Sequence, residues 1–405
     1  MKILHTADWH LGKKLENHTR LPEQIEVLNE ICEIADREAA DVVIVAGDLY
    51  DTFNPTNEAI TLFYKTLKRI SRNGERPVIA IAGNHDSPDR IEAPDPLARE
   101  CGIILLGYPH SMVSPFRLDT GLEVTKSEPG FLELKVPQQT TPLRLILTPY
   151  ANELRLKTYL GLSDRQENLR DLLQQKWQHL AEAHCDSQGI NMMVAHLFMM
   201  KKGETQPLED DSEKSILHIG GAQAIYTEQV PQQLDYVALG HLHRYQNISG
   251  GPCPIVYSSS PLAYSFAEAN QKKYVVLLEA EAGKAIKVNP IELQKGKKLL
   301  RGRFESIDKA LDWLQENQNA LIEITIVTDH YLTAQERKSL NEQHPGIIAI
   351  IPEVKTKTSS LSDKAASIDT SKHIDDLFRD YFKSRNNEQE PNERLMDLFR
   401  EVRSK

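Results

Sequence analysis

The chain has 405 residues, 40% hydrophobic and 26% charged, the make-up of a soluble globular protein with about two or three domains rather than a disordered or fibrous one. No apolar run approaches the roughly 18 residues of a membrane span, and "MKILHTADWH" carries polar and ionisable groups from residue 5, which argues against a signal peptide and for the cytoplasm. A net charge of −10 speaks against tight autonomous nucleic-acid binding, though not against DNA as a substrate, and Cys32, Cys101, Cys185 and Cys253 form no CxxC pair, which argues against disulfides and structural zinc.

Along the chain one pattern recurs: a short apolar strand runs directly into polar residues able to bind metal. "KILHTADWH" ends at Asp8 and His10. "LPEQIEVLNEICEIADREA", 21 to 39, then repeats apolar residues at helical spacing, before "DVVIVAGDLYD" supplies Asp48 and Asp51. A second helical pattern, "NEAITLFYKTLKRI", 57 to 70, leads to "PVIAIAGNHD" with Asn84, His85 and Asp86. Strand, helix, strand, helix, strand predicts a parallel start to a sheet with right-handed crossovers, an α/β fold. Further on, "INMMVAHLF" ends in His196, and "DYVALGHLHRY" delivers His241 and His243 after Gly240. In an extended segment positions i and i+2 face the same way, so these two histidines can converge, with Leu242 turned into the core. "PIVYSSSP" and "KYVVLLEAEAGKAIKVNPIEL" then predict a largely β second half.

Taken singly, each residue has a bland role available. Asp8 suits a strand-end turn, Asp48 and Asp51 suit helix caps, Asn84 suits a left-handed turn, and a lone histidine is usually hydrogen-bonded and structural. Jointly that account is poor, because His10, His85, His196, His241 and His243, five of the 14 histidines, all stand at strand ends. Strands that deliver polar groups from their C-terminal ends are how α/β proteins assemble sites. Asp8, His10, Asp48, Asn84, His196, His241 and His243 are too many ligands for one ion that normally accepts about four to six. Two ions roughly 3.5 to 4 Å apart, bridged by a carboxylate, accommodate all seven and leave room for a shared hydroxide. Carboxylate, amide and imidazole without thiolate suit Mn²⁺, Mg²⁺, Fe²⁺ or Zn²⁺. The natural chemistry of such a pair is phosphoester hydrolysis, and His85, left over beside the cluster, is a candidate general acid.

In this order "DWH", "GDLYD", "GNHD", His196 and "GHLH" resemble the calcineurin-like metallophosphoesterases. Within them, "HTADWHLG", "VAGDLYDT", "AGNHDS" and "DYVALGHLHR" are similar to the bacterial branch of the Mre-type DNA nucleases, over essentially the whole chain and more weakly after about residue 280. The resemblance implies a β-sandwich flanked by helices, with Asp8, His10, Asp48 and His243 on one ion and Asp48, Asn84, His196 and His241 on the other. It implies Mn²⁺, in-line hydrolysis of DNA phosphodiesters at duplex ends, hairpins and single strands, and His85 protonating the leaving group. Two departures stand out. Asp51, a candidate for orienting the phosphate, occupies a position where archaeal and eukaryotic relatives have histidine, and Ser259 stands where the family usually has glycine.

These readings divide the chain into a nuclease domain, 1 to 294, an α/β cap, 295 to 355, a linker, 356 to 372, and a helical region, 373 to 405. "KGKKLLRGR", 295 to 303, reads as a solvated hinge or a phosphate-contacting patch. "ESIDKALDWLQEN", "ALIEITIVTD", "LTAQERKSLNEQ" and "GIIAIIPEVK" predict helix, strand, helix, strand, which resembles the family's DNA-facing cap. After the polar linker "KTKTSSLSDKAASIDTSK", two apolar stripes follow: Ile374, Leu377, Phe378, Tyr381 and Phe382, then Leu395, Leu398, Phe399 and Val402. Such amphipathic helices dock on something, either back on the catalytic domain or on a partner. The resemblance implies the coiled-coil base of a partner ATPase, and a homodimer within a heterotetramer. Two other functions compete: a dimetal phosphodiesterase or phosphatase acting on a small molecule or protein, and a metal-stabilised adaptor without catalysis. The cap and tail speak against the first, the full ligand set with His85 against the second.

Overall fold

A computed structural model describes residues 1–151, 169–204, 224–329, 332–354 and 374–385, with six more positions between 390 and 399. The chain divides into two compact units, Met1–Glu353 and Val354–Lys405.

In the first unit the opening alternation is β1 (Lys2–Thr6), α1 (Leu21–Arg37), β2 (Val42–Ala46), α2 (Asn57–Ser71), β3 (Val78–Ile81) and, after two short helices, β4 (Ile103–Leu106). β1 through β4 pair parallel and in sequence order. The helices form where the periodicity predicts them. α1 has Pro22 in its first turn and buries Val27, Leu28, Ile31 and Ile34. The Thr56 hydroxyl caps α2 by accepting from the Ala59 N–H at 3.3 Å.

A second sheet is built from β5 (Glu123–Glu128), β6 (Phe131–Lys135), β7 (Leu143–Thr148), β8 (Ile190–His196), β9 (Tyr236–Gly240), β10 (Gln246–Ile248) and β11 (Ile255–Tyr257). Its order is β10-β11-β9-β8-β7-β6-β5, with β7, β8, β9 and β11 parallel. The hairpin of β12 (Tyr274–Glu279) and β13 (Lys287–Glu292) returns to the first sheet, where β12 pairs antiparallel with β1. The two sheets pack face to face through Ile3, Ile44, Ile79 and Ile81 on one side and Leu145, Met192, Val194 and Ala238 on the other. Alternate residues of the first sheet, Leu4, Val43, Val45 and Ala80, face outward under α1 and α2. On the far side α3 (Leu169–His184) covers the second sheet with Leu173, Trp177 and Leu180. The result is a sandwich flanked by helices on both faces.

The cap is a three-stranded sheet of β14 (Lys298–Phe304), β15 (Ala320–Thr328) and β16 (Ile347–Val354) with α4 (Ile307–Glu316) and α5 (Ala334–Gln343). Its first strand corrects the expectation for "KGKKLLRGR". Lys298 to Phe304 is strand rather than hinge, pairing parallel with Ala320 to Ile326, and Lys295, Lys297 and Lys298 stay exposed. Leu299 buries against Leu15, Phe266 and Leu321, while Arg301 and Arg303 are spent on Glu323 and Glu353 at 2.6 and 2.7 Å.

In the second unit α6 (Ile374–Arg385) carries Ile374, Leu377, Phe378 and Tyr381, and the Phe378 ring stacks on Phe399 at 4.1 Å between centroids. Leu395 stands in the second helical segment. The linker, Leu398 and Val402 lie outside the described residues. Among the described residues no helix is long and apolar enough to cross a membrane, and all four cysteines are free.

Candidate metal centre

The C-terminal ends of β1, β2, β3, β8 and β9 meet at one edge of the sandwich, and the residues at and just beyond those ends supply the polar side chains. Past β1 the parallel pairing continues irregularly: the Asp8 N–H donates to Gly47 O and the His10 N–H to Asp48 O, both at 2.9 Å. Asp8, His10, Asp48 and His241 have φ of 56°, 44°, 48° and 114°. Such positive values in residues with a side chain cost about 1–3 kcal/mol each and persist only where the surroundings over-determine them. Two glycines permit the close approach. A Cβ on Gly83 would lie 2.1 Å from Asp48 Oδ1, and one on Gly240 would lie 1.9 Å from the Ala46 carbonyl oxygen.

The seven predicted ligands come together, each at most 3% exposed. Asp48 Oδ2 lies 3.5 Å from His10 Nε2 and 3.3 Å from His196 Nε2, so one oxygen faces two groups of side chains. In the first group His10 Nε2 and His243 Nε2 approach to 2.9 Å, and Asp8, His10 and Asp48 offer ligand atoms that could share an ion. In the second, Asn84 Oδ1 lies 2.8 Å from His196 Nε2 and 3.1 Å from His241 Nδ1.

Backbone contacts aim these groups. The Asp8 Oδ1 atom accepts from the His241 N–H and Asp48 Oδ1 from the His85 N–H, both at 2.9 Å, while Asp8 Oδ2 and Asp48 Oδ2 are buried without a hydrogen-bond partner. Buried carboxylate oxygens left in that state are expensive unless a cation completes them, so the donor set fits metal ions. His196 Nδ1–H donates to Ala46 O at 2.9 Å, which leaves Nε2 facing the cluster with its lone pair. Without a cation the groups strain against one another. Burial pushes Asp8 up to about 7, reinforced by Asp48 and opposed by His196 and His243. Burial pushes His196 down, but Asp48 and Asp8 outweigh it and hold the imidazolium up to about 9.

The family model described as calcineurin-like phosphoesterase matches residues 1–245. A Bacillus subtilis (strain 168) protein named as the SbcD component of the nuclease SbcCD is 35% identical over 414 aligned residues, covering 100% of this chain and 98% of that one. The chain belongs to the SbcD family of calcineurin-like phosphoesterases. Proteins of the same name from Escherichia coli K12 and Staphylococcus epidermidis are 30% and 28% identical, covering 87% and 86% of this chain and 84% and 85% of theirs. Membership makes the chain a metal-dependent phosphodiesterase with a two-metal site.

Several residues that support the SbcD-type site escape sequence reasoning. Asp86 of "GNHD" faces backbone rather than the cluster, accepting from the N–H groups of Gly83 at 2.8 Å, Leu49 at 3.0 Å and Tyr50 at 2.9 Å, which ties the second motif to the third. Buried Glu268 lies 3.3 Å from His243 Nδ1 and pairs with Lys273, whose ammonium donates to the His243 carbonyl at 2.9 Å. Gln24, on α1, donates to His10 O at 2.8 Å. The sequence marks Asp86 beside Asn84 and His85, but not that it ties backbone, and no spacing links Glu268, Lys273 or Gln24 to the motifs.

His85 stands beside the two groups, its ring 4.9 Å from that of His10. Its Nδ1–H donates to the Asp51 carbonyl at 3.0 Å, and Nε2 is buried without a hydrogen-bond partner. The Asp51 carboxylate sits 3.7 Å from His10 Nδ1 and binds Lys13 at 2.7 Å. Ser259 keeps a glycine-like φ of 83°, held by hydrogen bonds of its hydroxyl with the Tyr274 N–H at 2.9 Å and the Tyr274 carbonyl at 3.2 Å. Serine therefore retains the left-handed turn that glycine favours.

Proposed function

We propose that the chain is the nuclease component of an SbcCD-type complex, a Mn²⁺-dependent hydrolase of DNA phosphodiesters acting on duplex ends, hairpins and single strands in DNA end processing, repair and recombination. The observation that carries this is the Asp48 Oδ2 atom placed between two histidine groups, with the unpartnered His85 Nε2 alongside.

In this reading Asp8, His10, Asp48 and His243 hold one ion, and Asp48, Asn84, His196 and His241 hold the other. Bound ions supply Lewis acidity, an activated water and neutralisation of the phosphoryl charge. The protein's own residues do the rest. Hydrogen bonds donated by His196 to Ala46 O and by His243 to the Glu268 carboxylate set the orientations of the two rings. His85, with Nδ1–H committed to Asp51 O, has only Nε2 with which to hand a proton to the leaving oxygen.

DNA is the proposed substrate, with residues 1–294 as the nuclease domain and 295–355 as its DNA-facing cap. The ATPase SbcC is the proposed partner, gripped by α6 and the segment around Leu395, Leu398 and Phe399, in a cytoplasmic heterotetramer built on a homodimer of this chain. The test is turnover by the purified Mn²⁺-loaded chain of a linear duplex, bis(p-nitrophenyl) phosphate and a phosphopeptide. Cleavage of both diesters with an inert phosphopeptide is expected; a phosphopeptide turned over faster than DNA would overturn the nuclease reading.

A further inference from the structure

The seven candidate ligands are almost wholly buried, so a phosphodiester must reach them from the side where exposure rises. On that side stand His85, 8% exposed, and the pair Lys13 and Asp51, whose side chains are 13% and 23% exposed. The pair is built into the site rather than placed on the surface. Lys13 follows His10 in a turn closed by its N–H on the His10 carbonyl at 3.0 Å, and Asp51 N–H reaches Leu11 O at 3.3 Å, so the loops after β1 and β2 are stitched together. The Lys13 ammonium also lies 6.0 Å from the centroid of the Tyr264 ring, which itself packs on His10.

A bare Asp51 carboxylate here would repel an incoming phosphodiester. Lys13 neutralises it, and of the three N–H groups of an ammonium the 2.7 Å contact with Asp51 Oδ1 uses one, leaving two to donate. The Asp51 backbone carbonyl meanwhile orients His85. One residue thus positions both the proton donor and a cation beside it.

We propose that Lys13 is a substrate-binding residue that donates to a non-bridging oxygen of the phosphodiester on the leaving-group side, with Asp51 as its positioning residue. This rests on the phosphodiesterase reading, and on nothing about which nucleic acid is cut. An ammonium that merely staples two loops is the competing account, and it differs in what charge does.

The experiment uses the full-length, Mn²⁺-loaded chain with Lys13→Met, Lys13→Arg, Asp51→Asn and the Lys13→Met/Asp51→Asn double variant. One arm measures KM and kcat on bis(p-nitrophenyl) phosphate; the other measures binding of thymidine 5′-monophosphate by calorimetry. Loss of a charge-assisted hydrogen bond to phosphate predicts that Lys13→Met raises KM and the nucleotide Kd about tenfold to a hundredfold. Lys13→Arg should recover most of the loss, Asp51→Asn should weaken binding less, and in the Lys13→Met background Asp51→Asn should restore part of the affinity, because the bare carboxylate is then gone. Wild-type values in Lys13→Met, or a loss that arginine does not rescue, would overturn the assignment while leaving phosphodiester hydrolysis standing. If the wild-type chain binds the nucleotide yet hydrolyses no diester, the phosphodiesterase reading falls, and the binding arm alone judges Lys13.

Discussion

His85 presents a single nitrogen to the site, and this decides which substrates depend on it. With Nδ1–H held by the Asp51 carbonyl, the proposed general-acid role falls to Nε2, and on that proposal removal of the ring leaves nothing to protonate a poor leaving group. His85→Ala should therefore lower DNA cleavage by about 10²- to 10⁴-fold, and affect bis(p-nitrophenyl) phosphate, whose phenolate leaves unaided, much less. Calorimetry should still find two ions bound, since His85 is not among the proposed ligands. Metal loading itself has a pH signature. With His196 held up to about 9 and Asp8 pushed up to about 7, binding near neutral pH must expel protons, because ligands bind metal in their deprotonated forms. Apparent affinity should climb as pH rises to about 9 and then level off. Titrations in buffers of different ionisation enthalpy at neutral pH should show the released protons directly.

Between elements, the polar groups buried in the sandwich decide how the layers sit. His5 on β1 points between the sheets and bonds the Tyr236 hydroxyl at 3.1 Å and the Leu239 carbonyl at 3.2 Å, both on β9. Burial pushes its pKa down to about 3, only partly opposed by the Leu239 carbonyl. A folded pKa below the ordinary imidazole value of about 6.5 means that the neutral ring is what folding favours. Its contribution is whole above that pH and is lost as pH falls towards 3, by up to about 1.4 kcal/mol per unit. Denaturant unfolding of His5→Gln should consequently show a shallower loss of stability below pH 6.5 than wild type. Asp86 ties two loops in the same way. Asp86→Asn leaves one acceptor oxygen for three backbone donors, and should destabilise the fold by at least about 2 kcal/mol and weaken metal binding.

At the scale of the whole molecule, Met1–Glu353 has its own cores and all seven proposed ligands, and Val354–Lys405 is a separate compact unit. Truncation after Val354 is expected to leave bis(p-nitrophenyl) phosphate turnover near wild type and to abolish capture of the partner ATPase in pull-down. Loss of diester turnover in a truncated chain that still melts cooperatively would show that the tail serves catalysis instead.

What the sequence alone determined here is what depends on neighbours in the chain. The apolar runs of β1, β2 and β3, the helical spacing in α1 and α2, and the identity of the seven converging side chains are all local, because strand burial and helix periodicity are written over a few residues. The strand that begins at Lys298, inside the segment read as hinge or basic patch, is missed for the complementary reason: a short charged strand is recognisable only beside its partner, Ala320–Thr328. The tertiary structure alone decided how Lys13 meets Asp51, how Glu268 and Lys273 meet His243, and what Asp86 holds, contacts that no spacing predicts. It also changed the account of "GHLH". β9 ends at Gly240, so strand alternation does not orient the pair. His241, at φ 114°, turns to Asn84, while His243 turns to His10, with Leu242 buried between them. Which groups each histidine faces is set by the backbone of a loop, and that backbone is held by Asp8, which accepts from the His241 N–H, and by Lys273, which donates to the His243 carbonyl.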